Sequence, residues 1–256
     1  MEIGVNFNIK IKNKSFINKH DNSSVEVLKN IDIKIKENEF VCIVGPSGCG
    51  KTTLMNLIGG LIPHDEIINF KNNSKKNDEE SFGYVFQTSR LLPWLTIKEN
   101  IELVCDSKNI HKLDKQIDNL LNDFDLKDFS NYYPKAISGG MRRRVSLVRS
   151  LINKPKVLLM DEPFVSLDQP TSENLYKVLI DYWKINPITV ILITHNLKEA
   201  LLLSDRILFF SKRPATVVYD YKVKTKRGTL KMDNKKIDEE YEILKKKFPS
   251  LLKGLI

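Results

Sequence analysis

Two segments of this 256-residue chain combine residue types and spacing that could handle a phosphate group. The first is Gly45-Pro46-Ser47-Gly48-Cys49-Gly50-Lys51-Thr52, followed by Thr53, which fits the pattern G-x-x-x-x-G-K-[ST]. Glycines at this spacing let backbone N–H groups curl around an anion without Cβ clashes, and a helix start behind them adds unpaired donors and the positive end of a dipole. Lys51 could reach β- and γ-phosphates, and the Thr52 hydroxyl could ligate Mg²⁺. A chance match in a chain of this length has a probability on the order of one per cent. The second segment is Val157-Leu158-Leu159-Met160-Asp161-Glu162, an apolar run ending in two acids. Ligands gather at the carboxyl ends of parallel strands, so Asp161 is placed to hold a metal ion and Glu162 to polarise an attacking water. Alone, Asp161-Glu162-Pro163 would as readily cap a turn; beside the glycine loop, catalysis is the stronger reading.

The elements that must position these residues follow from periodicity. Residues 3–12 alternate apolar and polar, as do residues 27–35, which predicts antiparallel half-buried strands near the N-terminus. Continuous apolar runs at 40–44, 157–160, 188–194 and 207–210, with a shorter one at 82–86, predict buried strands. A helix is predicted over Lys51 to Leu61, a loop over Asn69 to Glu80, and a mainly helical stretch from Ile97 to about Lys154, with Thr96 and Glu99 spaced as a capping box. Strands alternating with helices imply a largely parallel sheet covered by helices. The division expected is a sheet-forming core over 1–89 and 155–220, a helical subdomain over 90–154 and a basic extension over 221–256.

Composition narrows the classes. The chain is 41% hydrophobic and 29% charged, which describes a globular protein. No run approaches the roughly 18 apolar residues needed to cross a membrane, and residues 1–6 show no signal-peptide core, so secretion is not expected. Three cysteines without zinc spacing and four scattered histidines argue against a disulfide framework or a histidine-rich metal site. The net charge of +9 raises the question of nucleic acid, but residues 221–256 hold 11 Lys/Arg against 5 Asp/Glu and so supply +6 of it. That segment reads as a terminal helix with Ile237, Tyr241 and Leu244 on one face and solvated lysines elsewhere. It lacks the exposed aromatics or recognised motif of a nucleic-acid surface, and no such partner is expected.

A third segment points to a family. Ser138-Gly139-Gly140-Met141-Arg142 opens a basic amphipathic helix just before the carboxylate strand and resembles the L-S-G-G-Q signature of ATP-binding cassette (ABC) ATPases, with Ile137 for the leading Leu and Met141 for the final Gln. The other family elements follow in order: Gln87 like the Q-loop, Ser166-Leu167-Asp168 like the D-loop, and His195 like the switch histidine. Phe16 is the candidate for the aromatic that stacks on adenine, where the family more often has Tyr. The resemblance covers roughly residues 3–220 and implies a P-loop NTPase fold: an α/β core with a mixed, largely parallel sheet, N-terminal antiparallel strands and an inserted helical subdomain. Leu91-Leu92-Pro93-Trp94-Leu95-Thr96, Glu199 to Arg206, and Arg213-Pro214 look like the nitrate/sulfonate/taurine group of ABC importers. Two departures are Asn38, where relatives usually have Gly, and the segment 63–80, which lacks the Gly-marked hairpin common among them.

The resemblance implies an ATPase that powers solute import with ATP and Mg²⁺ as cofactors. Lys51, Glu162 and His195 would be catalytic. Gly45 to Thr53, Phe16, Gln87, Ser138, Gly139, Gly140 and Asp168 would contact nucleotide, and Thr52, Gln87 and Asp161 the metal. Two copies would pair head to tail, docked at the cytoplasmic face of the membrane on transmembrane permease subunits that receive solute from an extracytoplasmic binding protein. Leu91 to Leu95, beside Gln87, is the candidate docking surface, weighed against ordinary core packing. Cys49 sits at a helix start, which can lower a thiol pKa; alkylation there is expected to inhibit and ATP to protect, the alternative being that Cys49 serves only as a small residue. The alternative is a soluble ABC ATPase outside transport. The separation of 87 positions from Lys51 to Ser138 leaves no room for the coiled coil of the DNA-repair type, and translation types usually carry two phosphate loops where this chain has one. An inactive cassette is disfavoured because Lys51, Asp161, Glu162 and His195 are all present.

Overall fold

The computed structural model describes residues 5–17, 22–63, 67–70, 82–105, 110–225 and 234–249. The chain divides into two units, Met1–Asp78 with Thr189–Ile256, and Glu79–Ile188.

In the first unit, the alternation near the N-terminus produces a small antiparallel sheet. β1 (Val5–Ile17) pairs with β2 (Ser24–Lys36), placing Phe7 opposite Ile35, Ile9 opposite Ile33 and Ile11 opposite Ile31. All six are buried, so period-two alternation has put one apolar face of the ribbon inward. β4 (Ile67–Phe70) adds to the other edge of β1. The loop expected from Asn69 therefore begins later, because Asn69 and Phe70 have ladder partners in Asn8 and Phe7; residues 71–80 of that predicted loop lie outside the described residues.

The unit's second sheet is built on β3 (Phe40–Val44), which lies between two parallel neighbours, β7 (Thr189–Ile193) and β8 (Arg206–Phe210). Every residue of β3 and β7 is buried, as the uninterrupted apolar runs required. β9 (Val217–Lys222) closes the far edge antiparallel to β8. Among the described residues of this unit are the helices α1 (Lys51–Ile58), α6 (Leu197–Leu203) and α7 (Lys235–Lys247). α1 ends three residues short of the predicted Leu61, because Gly59 and Gly60 turn the chain and their N–H groups close onto Met55 O and Leu57 O.

The basic C-terminal helix is tied down by one carboxylate. Ile237 and Leu244 of α7 are buried as expected, but the third inward position is Glu240 and not Tyr241. Glu240 accepts hydrogen bonds from Tyr221 Oη at 2.6 Å, Lys224 N at 2.9 Å and Thr225 Oγ1 at 2.9 Å. Three donors make burial of an acid tolerable. Tyr241 lies beside that face, with the Lys198 and Lys245 ammonium groups 5.6 Å and 5.8 Å from its ring centre. Burial, and then Glu240, push the Tyr221 hydroxyl pKa upward.

The second unit pairs β5 (Phe82–Val85) in parallel with β6 (Val157–Asp161). Between them run α2 (Ile97–Glu102), α3 (Ile110–Asp123), two short 3-10 turns and α4 (Gly139–Leu151); α5 (Gln169–Ile185) follows β6. The predicted capping box is present: Glu99 N donates to Thr96 Oγ1, and Thr96 N donates to Glu99 Oε2 at 2.7 Å.

Replacing Glu240 with Ala strands the Tyr221 hydroxyl and the Lys224 N–H. We expect Glu240→Ala to lower the unfolding free energy by about 2 kcal/mol, read from the urea midpoint at unchanged slope. An unshifted midpoint would show that the carboxylate contributes no net stability.

Candidate functional site

The glycine loop lies where the sequence placed it, between the end of β3 at Val44 and the start of α1 at Lys51. Gly50 occupies the N-cap with φ 130°, a conformation closed to side chains, and a Cβ there would also strike Val27 at 2.9 Å. No side chain caps α1, and its first turn contains no acid. The helix therefore begins with its N–H groups and dipole turned to the loop. Lys51 is buried, with Nζ donating to Gly45 O at 2.7 Å and Pro46 O at 2.9 Å. Those bonds hold the ammonium against the loop that a phosphate would enter.

The outer side of the loop carries a contact that motif reading missed. The Arg213 guanidinium donates to Gly48 O. The turn that presents Arg213 is braced by Thr216 N on Ser211 Oγ at 3.0 Å, Ala215 N on Val27 O at 2.8 Å and Lys29 N on Ala215 O at 2.9 Å. Arg213 had a sequence signal only as a group-specific Arg-Pro pair.

His195 follows β7 and is exposed. It is set in a tight turn: Asn196 N donates to Thr194 Oγ1 at 3.0 Å, and Asn196 Oδ1 caps α6 by accepting from Lys198 N and Glu199 N. Phe16 is 39% exposed on β1, opposite Val25.

In the second unit, Asp161 is the buried last residue of β6 and Glu162 is the next residue, with φ 46°. A left-handed backbone is costly for a residue with a side chain and is maintained only where the surroundings impose it. Gln87, just past β5, brings Nε2 to 3.4 Å from Glu162 Oε2. Two residues predicted from different parts of the motif set thus meet here. Asp161 also contributes to the raised pKa of Tyr84, after burial as the main cause. Ser138 is the N-cap of α4, accepting from Met141 N at 3.2 Å, and Arg142 holds the same turn through Ile137 O at 2.6 Å and Pro134 O at 3.2 Å. Ser138 and Gly139 are exposed; Gly140 is buried, and a Cβ there would meet Thr171 Cγ2 at 2.5 Å. Asp168 is the exposed N-cap of α5, without a side-chain cap bond.

The segment 91–95 is held from within by Asn100, which is fully buried, accepts from Leu92 N at 2.8 Å and donates to Leu92 O, Leu95 O and Thr96 O. That brace leaves Trp94 69% exposed, with Leu91, Leu92 and Leu95 half-buried, so this stretch is not ordinary core. Asn100 was not singled out in the sequence, since a polar residue in a helix carries no mark of being inward.

One expectation is corrected. Burial raises the Cys49 thiol pKa, outweighing the lowering by Lys51, the local backbone and Arg213. Cys49 and Cys42 are both buried, whereas Cys105 is partly exposed. We expect a maleimide at pH 7.5 to modify Cys105 first in the folded protein, with Cys42 and Cys49 reacting only after denaturation, as read by peptide mass spectrometry. Rapid labelling of Cys49 in the folded chain would contradict this.

Comparison with known proteins agrees with this geometry. Residues 28–165 match the family model described as "ABC transporter". The chain is 37% identical over 227 residues to the aliphatic sulfonates import ATP-binding protein SsuB of Bacillus cereus, covering 88% of this chain and 87% of that protein. It is 38% identical over 249 residues to the nitrate import ATP-binding protein NrtD of Synechocystis, covering 94% and 93%. It is 37% identical over 203 residues to the taurine import ATP-binding protein TauB of Jannaschia, covering 78% and 76%. Among solved structures, the dimeric post-hydrolysis state of the ATP-binding cassette MJ0796 bound to ADP and Pi matches with a TM-score of 0.70 at 31% identity, over 86% of this chain and all of that one. The cbiO1 structure from Clostridium perfringens matches with a TM-score of 0.73 at 25% identity, over 97% and 96%. With its glycine loop, carboxylate strand and Ser-Gly-Gly helix start in place, this chain belongs to the ABC transporter family and is an ABC ATPase of the nitrate/sulfonate/taurine importer group.

Proposed function

We propose that this ATPase powers import of a small anionic or organic solute of the nitrate, sulfonate or taurine kind. The names of its sulfonate, nitrate and taurine relatives support that substrate class. The observation that carries nucleotide chemistry is the loop itself: Lys51 tied to Gly45 O and Pro46 O at an uncapped helix start. In this reading Lys51 transfers its hydrogen bonds from the loop carbonyls to phosphate oxygens, and the N–H groups from Gly45 to Thr53 donate to the same charge. The Thr52 hydroxyl, Asp161 carboxylate and Gln87 amide oxygens are hard donors of the kind Mg²⁺ takes, and these residues would hold that ion, which when bound supplies charge that offsets the phosphates. Glu162 removes a proton from the attacking water, and His195, exposed on its tight turn, steadies the γ-phosphate. Phe16 offers an exposed ring to adenine.

Ser138, Gly139 and Gly140 form a second anion-binding helix start, which we assign to the nucleotide held by a second copy of the chain, with Asp168 at the junction between copies. The dimeric state of MJ0796 supports pairing of two copies, which we take to be head to tail. No helix among the described residues is long and apolar enough to cross a membrane. We place the protein at the cytoplasmic face on separate permease subunits, with the exposed Trp94 segment as the docking surface and a solute-binding protein as an indirect partner. Residues 1–89 and 155–220 would form the nucleotide-binding core, 90–154 the signature subdomain and 221–256 a basic appendage.

We expect Glu162→Gln to bind ATP within about twofold of wild type and to lose at least about 100-fold in kcat, measured by equilibrium binding and phosphate release. Normal turnover in that variant would refute Glu162 as the base. Co-purification of the tagged chain with an integral membrane permease tests the transport assignment; recovery only as a soluble species from solubilised membranes would favour a non-transport role.

A further inference from the structure

Arg143 is a charged residue inside the apolar stripe of α4, in line with Gly140, Leu147 and Leu151, and only 7% exposed. Its guanidinium donates to Phe86 O at 2.8 Å and Gln87 O at 2.6 Å. Arg149 donates to Ser89 O at 2.9 Å and Arg90 O at 3.0 Å. Arg90 in turn stacks its guanidinium 3.7 Å from the centre of the Phe86 ring, and Phe86 stacks on Tyr84. Two arginines of one helix thus take up four carbonyls within residues 86–90. Burial lowers both guanidinium pKa values, but from so high a starting point that both remain charged. A planar fork bound to two successive carbonyls resists rotation in a way that a single flexible donor does not. Gln87, at the centre of the gripped segment, is the residue whose amide reaches Glu162.

We propose that Arg143 is a positioning residue for hydrolysis: by gripping the Phe86 and Gln87 carbonyls it aims the Gln87 amide at Glu162 and ties that aim to the helix that begins at Ser138. The proposal rests on the reading of Glu162 as the base and of Ser138 to Gly140 as an anion-binding start. Ser138 caps α4 and Arg143 is the fifth residue of the same helix, so a rigid element joins the two. Movement of the helix start on binding an anion is transmitted to the Gln87 main chain through one buried side chain.

The test uses the full chain and the variants Arg143→Met, Arg143→Lys, Gln87→Ala and Gln87→Ala with Arg143→Met. Equilibrium binding of a fluorescent ATP analogue, kcat, KM and the thermal midpoint are measured for each. If Arg143 acts through Gln87, Arg143→Met keeps its ATP affinity within about twofold and loses about tenfold in kcat, while in the Gln87→Ala background the same change costs less than about twofold. Arg143→Lys, whose single ammonium reaches one of the two carbonyls, falls between. A brace with only a structural role would cost the same factor in both backgrounds, or lower affinity and kcat together. Either result overturns the proposal, as does wild-type kcat in Arg143→Met. Should the methionine variant not fold, Arg143→Lys, made also in the Gln87→Ala background, decides the same question. Glu162→Gln is the separate arm: normal turnover there removes the base reading on which the proposal stands, whereas a dead Glu162→Gln beside a fully active Arg143→Met removes the Arg143 proposal alone.

Discussion

The first unit depends on keeping the N–H groups at the start of α1 uncapped while fixing their direction. Four helix starts are closed by side chains, Thr96 on α2, Ser138 on α4, Asn196 on α6 and Asn234 on α7, whereas Asp168 on α5 makes no cap bond. At α1 the cap is Gly50, which has nothing to offer, so the free energy of leaving donors unpaired must be offset by the surrounding packing. That packing is visible on every side. β3 is held by parallel neighbours on both edges, and Leu54, Met55, Leu57 and Ile58 bury the inner face of α1. Arg213, on its braced turn, donates to the Gly48 carbonyl. A site that must receive an anion is built from donors that the rest of the unit declines to satisfy.

Three inward-turned charged groups share one pattern. Glu240 has three donors, Arg143 has two carbonyls, and Glu39 receives Arg206 in two hydrogen bonds at 2.8 Å and 3.2 Å. Removing such a group from water is costly, and the cost is tolerable only when several partners replace the lost hydration. Each of these groups also joins segments distant in sequence. Glu240 holds α7 to β9 and the residues after it, Arg206 ties β8 to the turn before β3, and Arg143 grips the segment after β5. Their geometric effect is therefore larger than their net stabilisation.

The turn after β6 works by constraint. Glu162 and Ser166 both adopt positive φ, at 46° and 67°, and residues of this type in such conformations cost on the order of 1–3 kcal/mol each. The chain bends sharply between Asp161 and the start of α5, and Glu162 is left beside the Gln87 amide. A relaxed turn would aim the carboxylate elsewhere, so the strain is consistent with a residue held for chemistry.

Much of this protein is determined by local sequence. Buried strands announce themselves as apolar runs because a strand covered on both faces has no polar positions, and the β1–β2 ribbon announces itself by alternation. The phosphate loop, the carboxylate pair and the Ser-Gly-Gly helix start are contiguous motifs whose chemistry depends on neighbours one to seven residues away, so they are readable without a fold. Tertiary structure decided which charged residues turn inward. The run Arg142-Arg143-Arg144 looks like a solvated basic face, yet Arg143 falls on the buried stripe and finds two carbonyls more than fifty residues away. Glu240 displaces Tyr241 from the buried face because donors from β9 and the residues after it meet it there. Cys49, which a helix start alone would activate, is quietened by burial. In each case the deciding interaction is a contact between distant segments, and the free energy of burying a polar group depends on partners that no local pattern encodes.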